Sequence, residues 1–264
     1  MASKFKIILL LVFAILSIIF WDYAIMRPIK IFVVFLHEIS HGLGAILTGG
    51  KVSAISIEWS EAGATHSIPG NFLATASAGY LGSILWGSLM LLSSLKNRFT
   101  RGISGVIGLL LFFFTAFYLK PFELSIGAVG IGWGILIIFS ALMHNYTNRF
   151  LLFILGGLTS IYAVYDLSDF FKGEVMQTDA GIIAKHYLRE PSLQVALAYV
   201  IGILISVLSV WILYSVIRAA VKHDHEEQLA VHEEPSPAAG LDDESMRILA
   251  LMQEMEERSR NNQP

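Results

Sequence analysis

Seven stretches of this chain hold very few charges: Ile7 to Trp21, Ile29 to Thr48, Phe72 to Leu95, Ile103 to Leu119, Leu124 to Met143, Phe150 to about Phe171, and Leu193 to Ile217. Their apolar residues come in continuous runs rather than in alternation or in one-sided helical stripes, and most runs are long enough to cross a bilayer as a helix. Backbone amides in hydrocarbon must be satisfied inside the spanning element, so runs of this kind share one solution, the transmembrane α-helix. The sequence therefore predicts an all-α polytopic membrane protein, an integral multi-pass chain of about seven transmembrane helices. A composition of 55% hydrophobic against 15% charged residues agrees with this. The first run follows a short basic start and reads as an uncleaved membrane helix, because Trp21-Asp22-Tyr23-Ala24 offers no small-x-small cleavage site.

The second run contains His37-Glu38-Ile39-Ser40-His41, an HExxH motif. Pro28 suits the start of its helix and Thr48-Gly49-Gly50 suits the stop. On a helix over 29–48, His37 and His41 lie one turn apart on one face and can grip one metal ion, while Glu38, the next residue round, reaches a metal-bound water. These are the ligand pair and general base of a metal-dependent peptidase. Three ionisable side chains at membrane depth cost on the order of 2 to 3 kcal/mol each unless paired or ligated, which disfavours an accidental trio in one apolar helix. Cysteine is absent, so disulfides, thiolate nucleophiles and Cys-ligated zinc are excluded, and His, Asp and Glu remain as the strong metal ligands.

Between Lys51 and Gly70 the pattern changes. Apolar residues at Val52, Ile55, Ile57 and Trp59 fall mostly at period two, which predicts a short interfacial β segment, strand or hairpin, after the HExxH helix. An open sheet edge cannot face lipid, so the segment must be interfacial, packed into a cavity, or covered by an incoming strand. The last arrangement would suit a protease, since an exposed edge can hold an extended peptide; a structured loop is the plainer alternative. In the next helix Ala78 and Gly82, and one position on Gly79, Ser83 and Gly87, recur at four-residue spacing, and Gly130 and Gly134 repeat the device later. Such spacing lets neighbouring helices approach closely.

Residues 1–217 are expected to form the membrane-embedded domain, and 218–264 a soluble acidic tail. Much of the acid behind the formal net charge of -3 sits in that tail, and no basic, aromatic-interleaved patch points to nucleic acid. Ile248, Met252 and Met255 fall at helical spacing near its end, a terminal amphipathic helix suited to docking on a partner the sequence does not name. Basic residues divide evenly between the two sets of loops, which leaves the orientation in the membrane open.

A catalytic zinc site has three protein ligands and one open position, so two histidines are not enough. The acids that can lie within an apolar segment away from the motif are Asp166 and Asp169, near the end of a helix over 150–171; Glu123, Glu174 and Asp179 read as loop residues. The 29–48 and 150–171 helices are an even number of crossings apart and run in the same direction, so Asp166 and the HExxH motif can meet at similar depth. Asp169, nearer the interface, is more easily explained as a helix-end or supporting group.

Taken together, the HExxH motif in an early membrane helix, Thr48-Gly49-Gly50 after it, Gly79-Tyr80-Leu81-Gly82-Ser83 in the next helix, and Tyr165-Asp166-Leu167-Ser168-Asp169 with Thr178-Asp179-Ala180 downstream resemble the M50B-like membrane metallopeptidases, relatives of the site-2 proteases. The likeness runs from about Ile29 to Ala184. It implies zinc held by His37, His41 and an intramembrane aspartate, for which Asp166 is the matching position, and cleavage of a membrane-protein substrate within or near the bilayer. On that reading Glu38 takes a proton from a zinc-activated water and passes it to the leaving amine. Water must then reach the site through a polar cavity, and the substrate helix must unwind locally, because a helical peptide bond is shielded by its own hydrogen bonds. The competing class is a non-proteolytic membrane protein, a metal-binding scaffold or transporter-like bundle in which a buried acid and two histidines serve a cation path.

Overall fold

The computed structural model describes residues 23–96, 99–143, 145–165 and 175–233 without a break, together with residues 12, 19 and 20 and scattered positions from 247 to 258. Its helices are α1 Arg27–Leu47, α2 Phe72–Lys96, α3 Thr100–Tyr118, α4 Leu124–Leu142, α5 Asn145–Tyr165, α6 Asp179–Tyr187 and α7 Pro191–Glu233. Strands β1 Lys51–Ile57 and β2 Gly63–Ile68 form an antiparallel hairpin. The chain divides into two compact units, Met1–Lys222 and His223–Pro264. In the second, the described positions from 247 to 258 are helical, expose Ile248, Leu251, Met252 and Met255, and carry one i,i+4 pair in which Arg258 Nη2 donates to Glu254 Oε1 at 2.8 Å.

Among the described residues, five helices are long and apolar enough to cross a membrane: Ala24–Leu47, Phe72–Lys96, Thr100–Tyr118, Leu124–Leu142 and Pro191–Ala219. Helix α5 forms where a sixth span was expected; it is not among these five. The expected first span, from Ile7 to Trp21, lies largely outside the described residues.

Helix α1 is the centre of the first unit. Its apolar residues run all the way round, and Ile31, Phe32, Val33, Val34, Phe35, Leu36 and Ile39 are all buried. Small residues set how closely its neighbours approach. A Cβ on Gly44 would come within 2.7 Å of Ala78 Cβ on α2, and one on Gly130 of α4 within 2.7 Å of Phe35. The four-residue spacing on α2 serves two neighbours: Gly79 and Gly82 face α1, whereas Gly87 lies against Ser160 of α5. On α4, Gly134 reaches the Gly108 carbonyl of α3.

The β segment expected after the HExxH helix is a hairpin that folds back along α1. At the end of α1, Gly49 adopts φ +87°, Gly50 N–H donates to Ala45 O at 2.7 Å, and the chain turns back along the helix. Three contacts pin the returning pieces at successive heights: Lys30 Nζ to Glu61 Oε1 at 2.7 Å, Thr65 Oγ1 to Glu38 Oε2 at 2.7 Å, and Asn71 N–H to Thr48 Oγ1 at 3.1 Å. Glu61, in the turn before β2 with φ +74°, and Gly63 and Thr65 on β2 thus meet Lys30, Val34 and Glu38 of α1. The far edge of β1 meets the chain after α3 once, where Lys120 N–H donates to Ile55 O at 2.8 Å; the outer edge of β2 has no strand partner among the described residues.

Candidate metal centre

Helix α1 turns His37 and His41 to one side, with their Nε2 atoms 3.2 Å apart. Asp179 Oδ2 lies 3.0 Å from each. Among the described residues these three form the one group of His, Asp or Glu whose ligand atoms gather within 4.8 Å of one another. Ligands of a tetrahedral zinc ion, with bonds of about 2.0 to 2.1 Å, stand about 3.3 Å apart, so this donor set needs only a slight expansion to fit such an ion. Two imidazoles and one carboxylate, three protein donors rather than four, are also the donor set of a catalytic rather than a structural site.

The third donor arrives by a route the hydropathy pattern does not reveal. Thr178 has extended backbone and its Oγ1 accepts from Gly181 N–H at 3.4 Å, capping α6, so Asp179 stands in the first helical turn where negative charge is favoured. The short helix is seated by its apolar side, where Ala180 and Ala184 pack with Val175 and Ala198, and by His186, whose ring stacks on Phe72 of α2 at 3.8 Å. Burial by itself would push the Asp179 carboxyl up. The charge of His41, then hydrogen bonds from the His37 and His41 imidazoles, outweigh that and hold it well below the ordinary carboxylate range, ionised and ready to ligate.

Surrounding groups aim the imidazoles. His41 Nδ1 donates its proton to the Thr75 carbonyl at 2.7 Å, which turns Nε2 towards Asp179 and His37 and makes it the ligating atom once the ring is neutral. Ser83 Oγ lies 3.3 Å from His37 Nδ1, and the Tyr80 ring meets the His37 ring edge-on at 5.4 Å. Gly79 explains how two rings and α2 share the space: a Cβ there would lie 2.3 Å from His41 Nε2 and 2.4 Å from His37 Nε2. Ser40, on the neighbouring face, donates to Leu36 O at 2.6 Å and accepts from Trp86 Nε1–H at 3.1 Å, tying the motif helix to α2. Glu38 is buried and points to the hairpin, where its carboxylate accepts from Thr65.

His37 and His41 thus stand together as their spacing predicts, and Glu38 turns its carboxylate to the hairpin. Asp166 and Asp169, the expected sources of the third ligand, lie outside the described residues. Asp179, read from sequence as a loop residue, is instead the first residue of α6 and the acid set against the histidine pair. Thr178-Asp179 followed by Ala180-Gly181 is the signal that marks it, a capped helix start with small residues that permit close docking. A family model described as Peptidase M50B-like matches residues 9–216. No curated protein and no solved structure matches the chain.

Proposed function

The chain belongs to the Peptidase M50B-like family, and on that premise we propose that it is an intramembrane zinc endopeptidase that hydrolyses a peptide bond of a membrane-protein substrate within or near the bilayer. The observation that carries this is the convergence of His37 Nε2, His41 Nε2 and Asp179 Oδ2 beside Glu38 on a helix long and apolar enough to span a membrane. Zinc, when bound by His37, His41 and Asp179, supplies a water activated near neutral pH and a Lewis acid for the scissile carbonyl. Glu38 takes the proton of the attacking water on its carboxylate and delivers it to the leaving amine nitrogen, which leaves the carboxylate as it began. His41, held by the Thr75 carbonyl, and His37, beside Ser83, keep their Nε2 atoms aimed at the centre throughout. The His37 and Asp179 side chains are 12% and 15% exposed, an opening that supports entry of water and substrate.

The outer edge of β2 supports one further element of this reading. It runs beside Glu38 and lacks a strand partner among the described residues, and an unpaired edge at membrane depth is costly. An unwound substrate segment that adds to this edge would have its amides satisfied and its backbone stretched past the general base. Seven crossings, counting Ile7 to Trp21 and the α5 region with the five long apolar helices, complete the proposed fold. The test is cleavage in liposomes of a panel of single-span membrane proteins by the parent and by Glu38→Gln. Cleavage by the parent alone is expected; equal cleavage by both would sink the reading.

A further inference from the structure

We infer that Thr65 is a positioning residue for the general base, holding the Glu38 carboxylate through both halves of its proton transfer. This rests on the peptidase role of Glu38 proposed above. Glu38 is 4% exposed and has to be aimed by a group outside its own helix. β2 provides one. The Thr65 hydroxyl stands 2.7 Å from Glu38 Oε2 and 2.8 Å from the Glu38 carbonyl oxygen, so its single proton has two acceptors within reach. While Glu38 is ionised, the carboxylate is the stronger acceptor and takes that proton. When Glu38 takes a proton from the attacking water on its other oxygen, Oε1, Oε2 remains an acceptor and keeps the Thr65 hydroxyl, so the carboxyl group does not turn. No bond to Thr65 is made or broken, and the transferred proton leaves Oε1 for the amine nitrogen.

Gly63 leaves the other carboxylate oxygen the space it needs. A Cβ on Gly63 would lie 2.6 Å from Glu38 Oε1 and 2.9 Å from both Glu38 Cγ and Val34 Cγ1. Residues 63 and 65 share one face of the strand, so one face of β2 meets the carboxylate with a bare glycine at Oε1 and a hydroxyl at Oε2. The turn before the strand is tied to α1 by the Lys30–Glu61 pair at 2.7 Å.

The experiment compares parent, Thr65→Val, which keeps the shape and loses the hydroxyl, and Thr65→Ser, which keeps the hydroxyl. Each is reconstituted with zinc in liposomes, with the panel's fastest-cleaved single-span protein as probe. Thr65→Val is expected to lower kcat about 10- to 100-fold, with KM within about twofold and zinc content unchanged, while Thr65→Ser keeps kcat within about threefold of the parent. A parental kcat in Thr65→Val overturns the inference, as does a raised KM at unchanged kcat, which would make Thr65 a substrate contact. Loss of zinc in Thr65→Val, or equal slowing in Thr65→Ser, overturns it in favour of a structural role. If the parent shows no Glu38-dependent cleavage, the peptidase reading and this inference fall together; if the parent cleaves and Thr65→Val matches it, this inference falls alone.

Discussion

At the scale of single residues, the centre is defined as much by what is missing as by what is present. Gly79 is required by the two imidazoles that occupy the space of its side chain, not by its backbone conformation, since it sits within α2. Gly79→Ala is therefore expected to lower zinc affinity about tenfold or more. Helix propensity favours alanine by about 1 kcal/mol, so the fold is not expected to suffer from the change in backbone preference. Zinc content after dialysis against a chelator, read beside the thermal unfolding midpoint, separates the two effects, and full zinc retention would contradict the assigned geometry. Asp179→Ala is expected to weaken zinc binding about 10- to 100-fold, with Asp166→Ala leaving it near the parental value. The reverse pattern would return the third-ligand role to Asp166.

At the scale of elements, two short pieces complete what the long helices begin. The hairpin brings Glu61 of its turn to Lys30 and Gly63 and Thr65 of β2 to Val34 and Glu38, and α6 delivers Asp179. Lys30 is buried in a helix long and apolar enough to span a membrane, its charge answered by Glu61, whose side chain is 27% exposed. Lys30→Met is expected to cost about 1 to 3 kcal/mol, less than for a fully buried pair because water still reaches Glu61. A lowered unfolding midpoint in detergent would be the sign, and an unchanged midpoint would show that the strand is held by other contacts. Both pieces were only partly legible in the sequence. Alternation over Val52, Ile55 and Ile57 marks a strand, but nothing local says whether it lies at an interface or turns back along a helix; that depends on Gly49 and on partners up to 31 residues away. Asp179 lies outside the apolar runs, so hydropathy gives it no mark. Its burial comes from the docking of α6 on α2 through contacts such as the His186 and Phe72 rings, and tertiary docking leaves no mark on hydropathy.

At the scale of the whole molecule, the long helices were the most legible part, because bilayer thickness and the need to satisfy backbone amides leave an apolar run of that length few alternatives. The HExxH motif was legible for a related reason: helical spacing alone sets His37 and His41 on one face with Glu38 beside them. The remainder of the centre depends on three elements meeting, α1 with its ligand pair and base, α2 with Gly79, Thr75 and Ser83, and α6 with Asp179. The central claim is that this meeting makes Glu38 the base of a peptide hydrolysis in the membrane. Mass spectrometry of the fragments from a single-span substrate, reconstituted with the zinc-loaded parent or with zinc-loaded Glu38→Gln in water enriched in heavy oxygen, tests it most directly. The expected result is a cut within or next to the membrane segment, one heavy oxygen in the new carboxyl group, and no such fragment from Glu38→Gln. Fragments of the same kind and amount from both proteins would contradict the account.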